Sequence, residues 1–164
     1  MLRRAFLLGA TFAPFTSYAE VRRVTYQHGM PLGSILIATR ERALYFTESP
    51  YTAIRYDVAV GKAGKAWAGM SYVDGKHVRP AWSPPPEVKR DMPNLPHIIQ
   101  GGAPNNPMGE RALTLAGGEY AIHGTNRPET VGRAASYGCF RMRNEEIIDL
   151  FERVRLGAMV RVIA

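Results

Sequence analysis

Between residues 80 and 107 the chain carries eight of its twelve prolines together with Gly101-Gly102. Proline fixes φ and has no N–H to donate, so a stretch this dense predicts neither regular helix nor central strand. It predicts a long ordered loop, which either connects surface elements or forms a wall or lid over a site.

The segments on either side are short, rich in β-branched and aromatic residues, and separated by turn signals. That pattern predicts strands. Residues 21–27 alternate loosely, 34–39 and 43–47 flank Arg40-Glu41-Arg42 as a hairpin, and 54–60 run into Gly61. Further strands are expected at 70–73, 112–116, 120–123 and 159–163, so His123 ends a strand. One helix is expected at about 144–155. Asn144 reads as its N-cap, Glu145 and Glu146 suit the positive end of its dipole, and Ile147, Ile148, Phe151 and Val154 share a face. Arg155 falls in the expected last turn, and Gly157 is placed to end it.

The first nineteen residues have the parts of a secretory signal: Arg3 and Arg4, an apolar stretch to Phe15, and the exit Ser17-Tyr18-Ala19. The apolar stretch is shorter than the roughly 20 residues needed to cross a bilayer core, so cleavage is expected in place of stable membrane insertion. Arg3-Arg4-Ala5-Phe6-Leu7-Leu8 is compatible with a twin-arginine signal and with a general secretory one. The remainder, 20–164, is enough for one domain with a core. Losing two arginines lowers the formal net charge from +7 to +5. Basic residues are scattered without a long run, which does not indicate nucleic-acid binding.

In an exported chain the lone Cys139 has no internal disulfide partner, and an unpaired thiol in an oxidising compartment suggests a nucleophile. His123 stands sixteen residues before it and is available as a base. A buried inert cysteine and a core histidine would give the same two letters. A thiol of pKa about 8.5 is a few per cent thiolate at neutral pH, so full deprotonation adds at most roughly 30-fold, about 2 kcal/mol. The rest of an acyl-transfer rate must come from stabilising an oxyanion, for which the amides of Gly138 and Cys139 are the expected donors. Glycine at 138 lets a substrate carbonyl approach closely.

The run from His123-Gly124-Thr125-Asn126 to Ser136-Tyr137-Gly138-Cys139-Phe140-Arg141-Met142-Arg143-Asn144 resembles the signature of the L,D-transpeptidase catalytic domain, the YkuD family. The likeness extends to Val58-Ala59-Val60-Gly61-Lys62, to Trp82 with its prolines, and to Asn106-Pro107-Met108-Gly109. It implies a mainly β fold: a YkuD-like β-sandwich of mixed sheets, with one main helix after the catalytic cysteine turn. It also implies that His123 is the general base and Cys139 the acyl-accepting nucleophile, that the Gly124 carbonyl orients the imidazole, and that Ser136, Gly138 and Arg141 serve oxyanion or substrate binding. Arg141 suits a substrate carboxylate.

The implied substrate is a peptidoglycan stem peptide in the periplasm. The implied acceptor is a second stem, a lipoprotein lysine or water, with no cofactor. Two departures stand out: Tyr137 replaces a histidine found in many members, and Lys65-Ala66-Trp67-Ala68-Gly69 replaces a threonine-proline-threonine-glycine run. Trp67 reads as core or as site wall. His28, His77 and His97 have no ligand spacing for zinc, and no second cysteine offers a redox partner. A noncatalytic peptidoglycan-binding domain is the competing reading from another class.

Overall fold

The computed structural model describes residues 22–26 and 29–164. The expected signal at 1–19, together with Val21, Gln27 and His28, lies outside the described residues. Four strands open the fold: β1 (Arg22–Thr25), β2 (Ile35–Ala38), β3 (Ala43–Thr47) and β4 (Thr52–Asp57). The expected hairpin forms with Ile35 opposite Phe46 and Ala38 opposite Ala43. The expected strand at 54–60 does not form as one piece. β4 stops at Asp57, Val58 and Ala59 turn aside, and β5 (Val60–Gly61) joins a separate pair.

Next comes β6 (Gly69–Val78), longer than expected because the turn-like Asp74-Gly75 is absorbed as a bulge. Then follow α1 (Pro86–Asp91), β7 (Arg111–Leu115), β8 (Ala121–His123), a single 3-10 turn (Pro128–Thr130), β9 (Ala134–Ser136), β10 (Phe140–Arg141), α2 (Asn144–Arg153) and β11 (Met159–Ile163). Helix α1 corrects the expectation of no helix among the prolines: Pro86 sits at the first helical position, where no N–H is required.

Nine strands run in the order β1-β4-β3-β2-β11-β6-β7-β8-β10, with β11 parallel to β2 and β10 parallel to β8. The first half of β6 pairs with β11 and its second half with β7, so this strand is shared by both halves of the sheet. The halves close on one core: Ile35, Ile37 and Leu44 come from one side, Leu113 and Ile122 from the other, and Ile147 and Phe151 from α2. Each such side chain contributes about 1.5–3 kcal/mol by leaving water. The architecture is mainly β, with mixed sheets and one main helix.

Helix α2 differs from expectation at both ends. Arg143 is the N-cap and Asn144 is already helical, while the helix ends at Arg153 with Val154 as cap, short of Arg155 and Gly157. Lys76 Nζ, from β6, donates to the carbonyls of Phe151 (2.5 Å) and Val154 (2.7 Å), satisfying the open end.

Candidate active site

β8 and β10 lie side by side in parallel, with Ile122 opposite Phe140 and His123 opposite Arg141. One residue back along β10, Cys139 falls beside Ala121. Alternate residues of a strand share a face, so Arg141 and His123 face one way while Ile122 and Phe140, both buried, face the core. Cys139 directly precedes β10, and its thiol receives a backbone hydrogen bond from Ala121, two residues before His123 on β8. Among the described residues no hydrogen bond joins His123 to Cys139. Such bonds are commonly long in unliganded sites and tighten with substrate.

His123 is 4% exposed. Its Nδ1 lies 2.6 Å from the Gly124 carbonyl oxygen. A carbonyl only accepts, so Nδ1 carries the proton and Nε2 holds the lone pair. Burial pushes the imidazole pKa down to about 4, with the Arg141 charge acting in the same direction and the Gly124 and Pro107 carbonyls opposing it. Burial also raises the Cys139 thiol, offset in part by a backbone hydrogen bond from Ala121 and by Arg141. Both shifts favour a resting pair of neutral thiol and neutral imidazole over an ion pair.

The turn bearing the thiol is held from several directions. Ser136 Oγ accepts from the Gly138 amide (3.1 Å) and donates to the Cys139 carbonyl (2.5 Å). The Gly138 N–H, expected as an oxyanion donor, is therefore committed within the turn, and Ser136 buckles the turn from a buried position. Among the described residues the Cys139 amide donates to no acceptor. Gly138 has φ +121°, and a Cβ there would collide with the Tyr120 ring, so the turn requires glycine. Ala59 exchanges two backbone hydrogen bonds with Arg141, of 2.8 and 3.0 Å, and pins β10 from its other side.

Asn144, expected as a cap, instead joins α2 to the histidine loop. Its Oδ1 accepts from the amides of Glu110 (3.1 Å) and Thr125 (3.2 Å), and its Nδ2 donates to the Thr125 carbonyl (3.1 Å). A side chain at Gly124 would run into that same Oδ1.

Cys139 opens into a cavity of about 600 Å³ bounded by Lys65, Glu87, Arg90, Glu119 and Tyr120. Arg141 lines a second cavity of about 180 Å³ with Trp82, Leu95, Thr125 and Arg127. Val88 and Tyr137 border both. The Pro-rich segment thus forms a wall of the site, with α1 as its inner face. Arg141 has no carboxylate partner among the described residues, and burial together with neighbouring Arg127 lowers its pKa. His77 and His97 are exposed and lie outside the site. Among the described residues no three His, Cys, Asp or Glu side chains gather to hold a metal ion.

The arrangement sets a thiol on a glycine turn and a buried histidine at the end of the neighbouring strand of a mixed β-sheet. A family model for the L,D-transpeptidase catalytic domain (YkuD) matches residues 33–162, and the chain belongs to that family. YbiS of Escherichia coli, named a probable L,D-transpeptidase, is 34% identical over 139 residues, covering 80% of this chain and 44% of its own length. ErfK/SrfK of the same organism, likewise named, is 33% identical over 139 residues with the same coverage. The chain therefore spans less than half the length of these curated relatives.

Among solved structures, the catalytic domain of the E. faecium L,D-transpeptidase shares the fold, with TM-score 0.60 and 18% identity over 79% of this chain and 95% of that one. A Brucella melitensis protein is 37% identical over 92% of this chain and 96% of its own, with TM-score 0.58. It carries the name of a probable carnitine operon oxidoreductase, which is at variance with the family match.

Proposed function

We propose that the protein is a peptidoglycan L,D-transpeptidase in which Cys139 is the nucleophile and His123 the base. The observation that supports this reading is the parallel pairing of β8 with β10, the strand that Cys139 directly precedes, together with Nδ1 of His123 hydrogen-bonded to the Gly124 carbonyl. Nε2 of His123 takes the thiol proton as Sγ attacks the carbonyl of an L,D-peptide bond in a stem tetrapeptide. The developing oxyanion meets the Cys139 amide. The intermediate collapses, the D-alanine nitrogen takes the proton from His123, and D-alanine leaves behind a thioester. An acceptor amine then attacks, His123 removes its proton, and the thiol is regenerated.

Arg141 receives a carboxylate of the stem in the smaller cavity, and Ser136, Gly138 and Gly124 hold the turn and the imidazole in register. Residues 20–164 act as one catalytic domain after removal of 1–19, working in the periplasm. Among the described residues no helix is long and apolar enough to cross a membrane.

Incubation of the protein with purified disaccharide-tetrapeptides, read by mass spectrometry, tests the reading and identifies the acceptor. Dimers that have lost one D-alanine indicate 3-to-3 cross-linking, tripeptides indicate water, and adducts formed with an added lipoprotein indicate its lysine. Bound but unaltered tetrapeptide would establish the noncatalytic alternative.

A further inference from the structure

Trp67 lies in the stretch where this chain departs from the family pattern, 71 positions from the residue it touches. Its Nε1–H donates to the Gly138 carbonyl at 3.1 Å. Its ring stacks on Tyr120, with centroids 4.9 Å apart and planes 16° apart, and leans on Phe140 at 5.7 Å. It therefore grips both sequence neighbours of Cys139, one by its backbone and the other by its ring. Core packing accounts for the stacking. It does not account for an indole N–H spent on the one carbonyl immediately before the nucleophile.

That carbonyl belongs to the same planar peptide unit as the Cys139 N–H, and in a trans peptide the two point in opposite directions. Fixing the carbonyl toward Trp67 fixes the N–H away from it. The freedom being restrained is real, because Gly138 has no Cβ and tolerates many backbone conformations. Ser136 restrains the peptide planes on either side of this one, through the Gly138 amide and the Cys139 carbonyl, and leaves the plane between them to Trp67.

We infer that Trp67 is a positioning residue that aims the Cys139 amide at the oxyanion formed when Cys139 attacks a carbonyl. This inference rests on the acyl-transfer reading above and deepens it. Trp67 is not among the residues that line the cavity with Cys139; it acts through the Gly138–Cys139 peptide plane. The consequence is selective. A reaction of Cys139 that passes through a carbonyl oxyanion needs the plane held, whereas a displacement at saturated carbon needs only the thiolate.

The test compares wild type with Trp67→Phe, which keeps an aromatic ring and loses the N–H. Acylation by imipenem, which places an oxyanion on the β-lactam carbonyl, is followed by intact mass. Alkylation by iodoacetamide, which expels iodide without forming an oxyanion, is followed on the same samples. Acylation is expected to slow roughly 10- to 100-fold with alkylation unchanged, as expected when a preorganised donor drifts. Equal acylation rates in the two proteins would overturn the inference and leave the acyl-transfer reading standing.

Parallel loss of both reactions would also overturn the inference, showing that Trp67 supports the whole turn. Wild type that resists acylation while its thiol alkylates would overturn the reading and the inference together. If Trp67→Phe lowers the melting temperature, 3-benzothienylalanine at position 67 preserves the bicyclic stack while removing the N–H. The same split between the two reactions is expected there.

Discussion

The hydroxyl of Tyr137 donates a 2.5 Å hydrogen bond to Oδ2 of Asp91, joining the Cys139 turn to helix α1 across the border of the two cavities. Lys62 completes the tie, with Nζ 3.5 Å from Asp91 and 3.7 Å from the Tyr137 ring centroid. A second ion pair, Lys65 with Glu87, holds the start of α1 to the same loop. The hydrogen bond from Tyr137 and the nearby Lys62 keep the Asp91 carboxyl below its ordinary range. The tyrosine that departs from the family pattern thus binds the Pro-rich wall to the Cys139 turn.

Tyr137→Phe removes this hydrogen bond and keeps the ring beneath Lys62. The expected outcome is a several-fold rise in KM for the stem tetrapeptide with kcat within about twofold, since the wall loosens and the Cys139–His123 register does not change. Steady-state kinetics check it. A fall in kcat at constant KM would place Tyr137 in the chemistry itself.

The low pKa of His123 gives a pH prediction for rate. The imidazole must be neutral to accept the thiol proton, so the acid limb of Cys139 acylation is expected near pH 4 and not near 6.5. Acylation rates measured at saturating donor between those values should stay nearly flat until the lower end. An inflection near 6.5 would show that His123 is solvated and ordinary.

The same shift has a sign for stability. The unfolded histidine binds its proton near pH 6.5 and the folded one only near 4, so between these values the unfolded state holds more protons. Stability therefore falls as pH drops through that window and levels off below it. Denaturant melts at a series of pH values follow this directly, and His123→Gln should flatten the slope.

Asn144→Ala leaves the Glu110 and Thr125 amides and the Thr125 carbonyl without their partner. A loss of about 1–3 kcal/mol is expected, with slower acylation because the histidine loop is no longer fixed to α2. Urea unfolding gives the first quantity and intact-mass kinetics the second. A variant as stable as wild type would mean that the residue serves only the helix end.

The parts of the fold that were legible in the sequence are those set by local pattern. The β2–β3 hairpin shows because apolar residues bracket Arg40-Glu41-Arg42, and β11 shows because Met159–Ile163 alternates into the core. The break after Asp57 is hidden because Val58 and Ala59 are as buried as a strand's core face, and only their pairing with Arg42 and Arg141 reveals the turn aside. Helix α1 is masked by its flanking prolines, although proline at its first position is compatible with helix. His123 and Cys139 stand out through composition, end-of-strand placement and family resemblance. Asn144 reads from its position as a cap, because its true partners lie 19 and 34 residues away. The hold of Trp67 on Gly138 has no local signal at all.

The central claim is that Cys139 becomes acylated by a stem peptide with departure of D-alanine. Acid quenching of the protein shortly after mixing with disaccharide-tetrapeptide, followed by intact mass and peptide mapping, measures this directly. The account predicts a mass increase equal to the donor less D-alanine, located on Cys139 and absent from Cys139→Ala. An adduct that persists in Cys139→Ala, or D-alanine release by that variant at the wild-type rate, would contradict it.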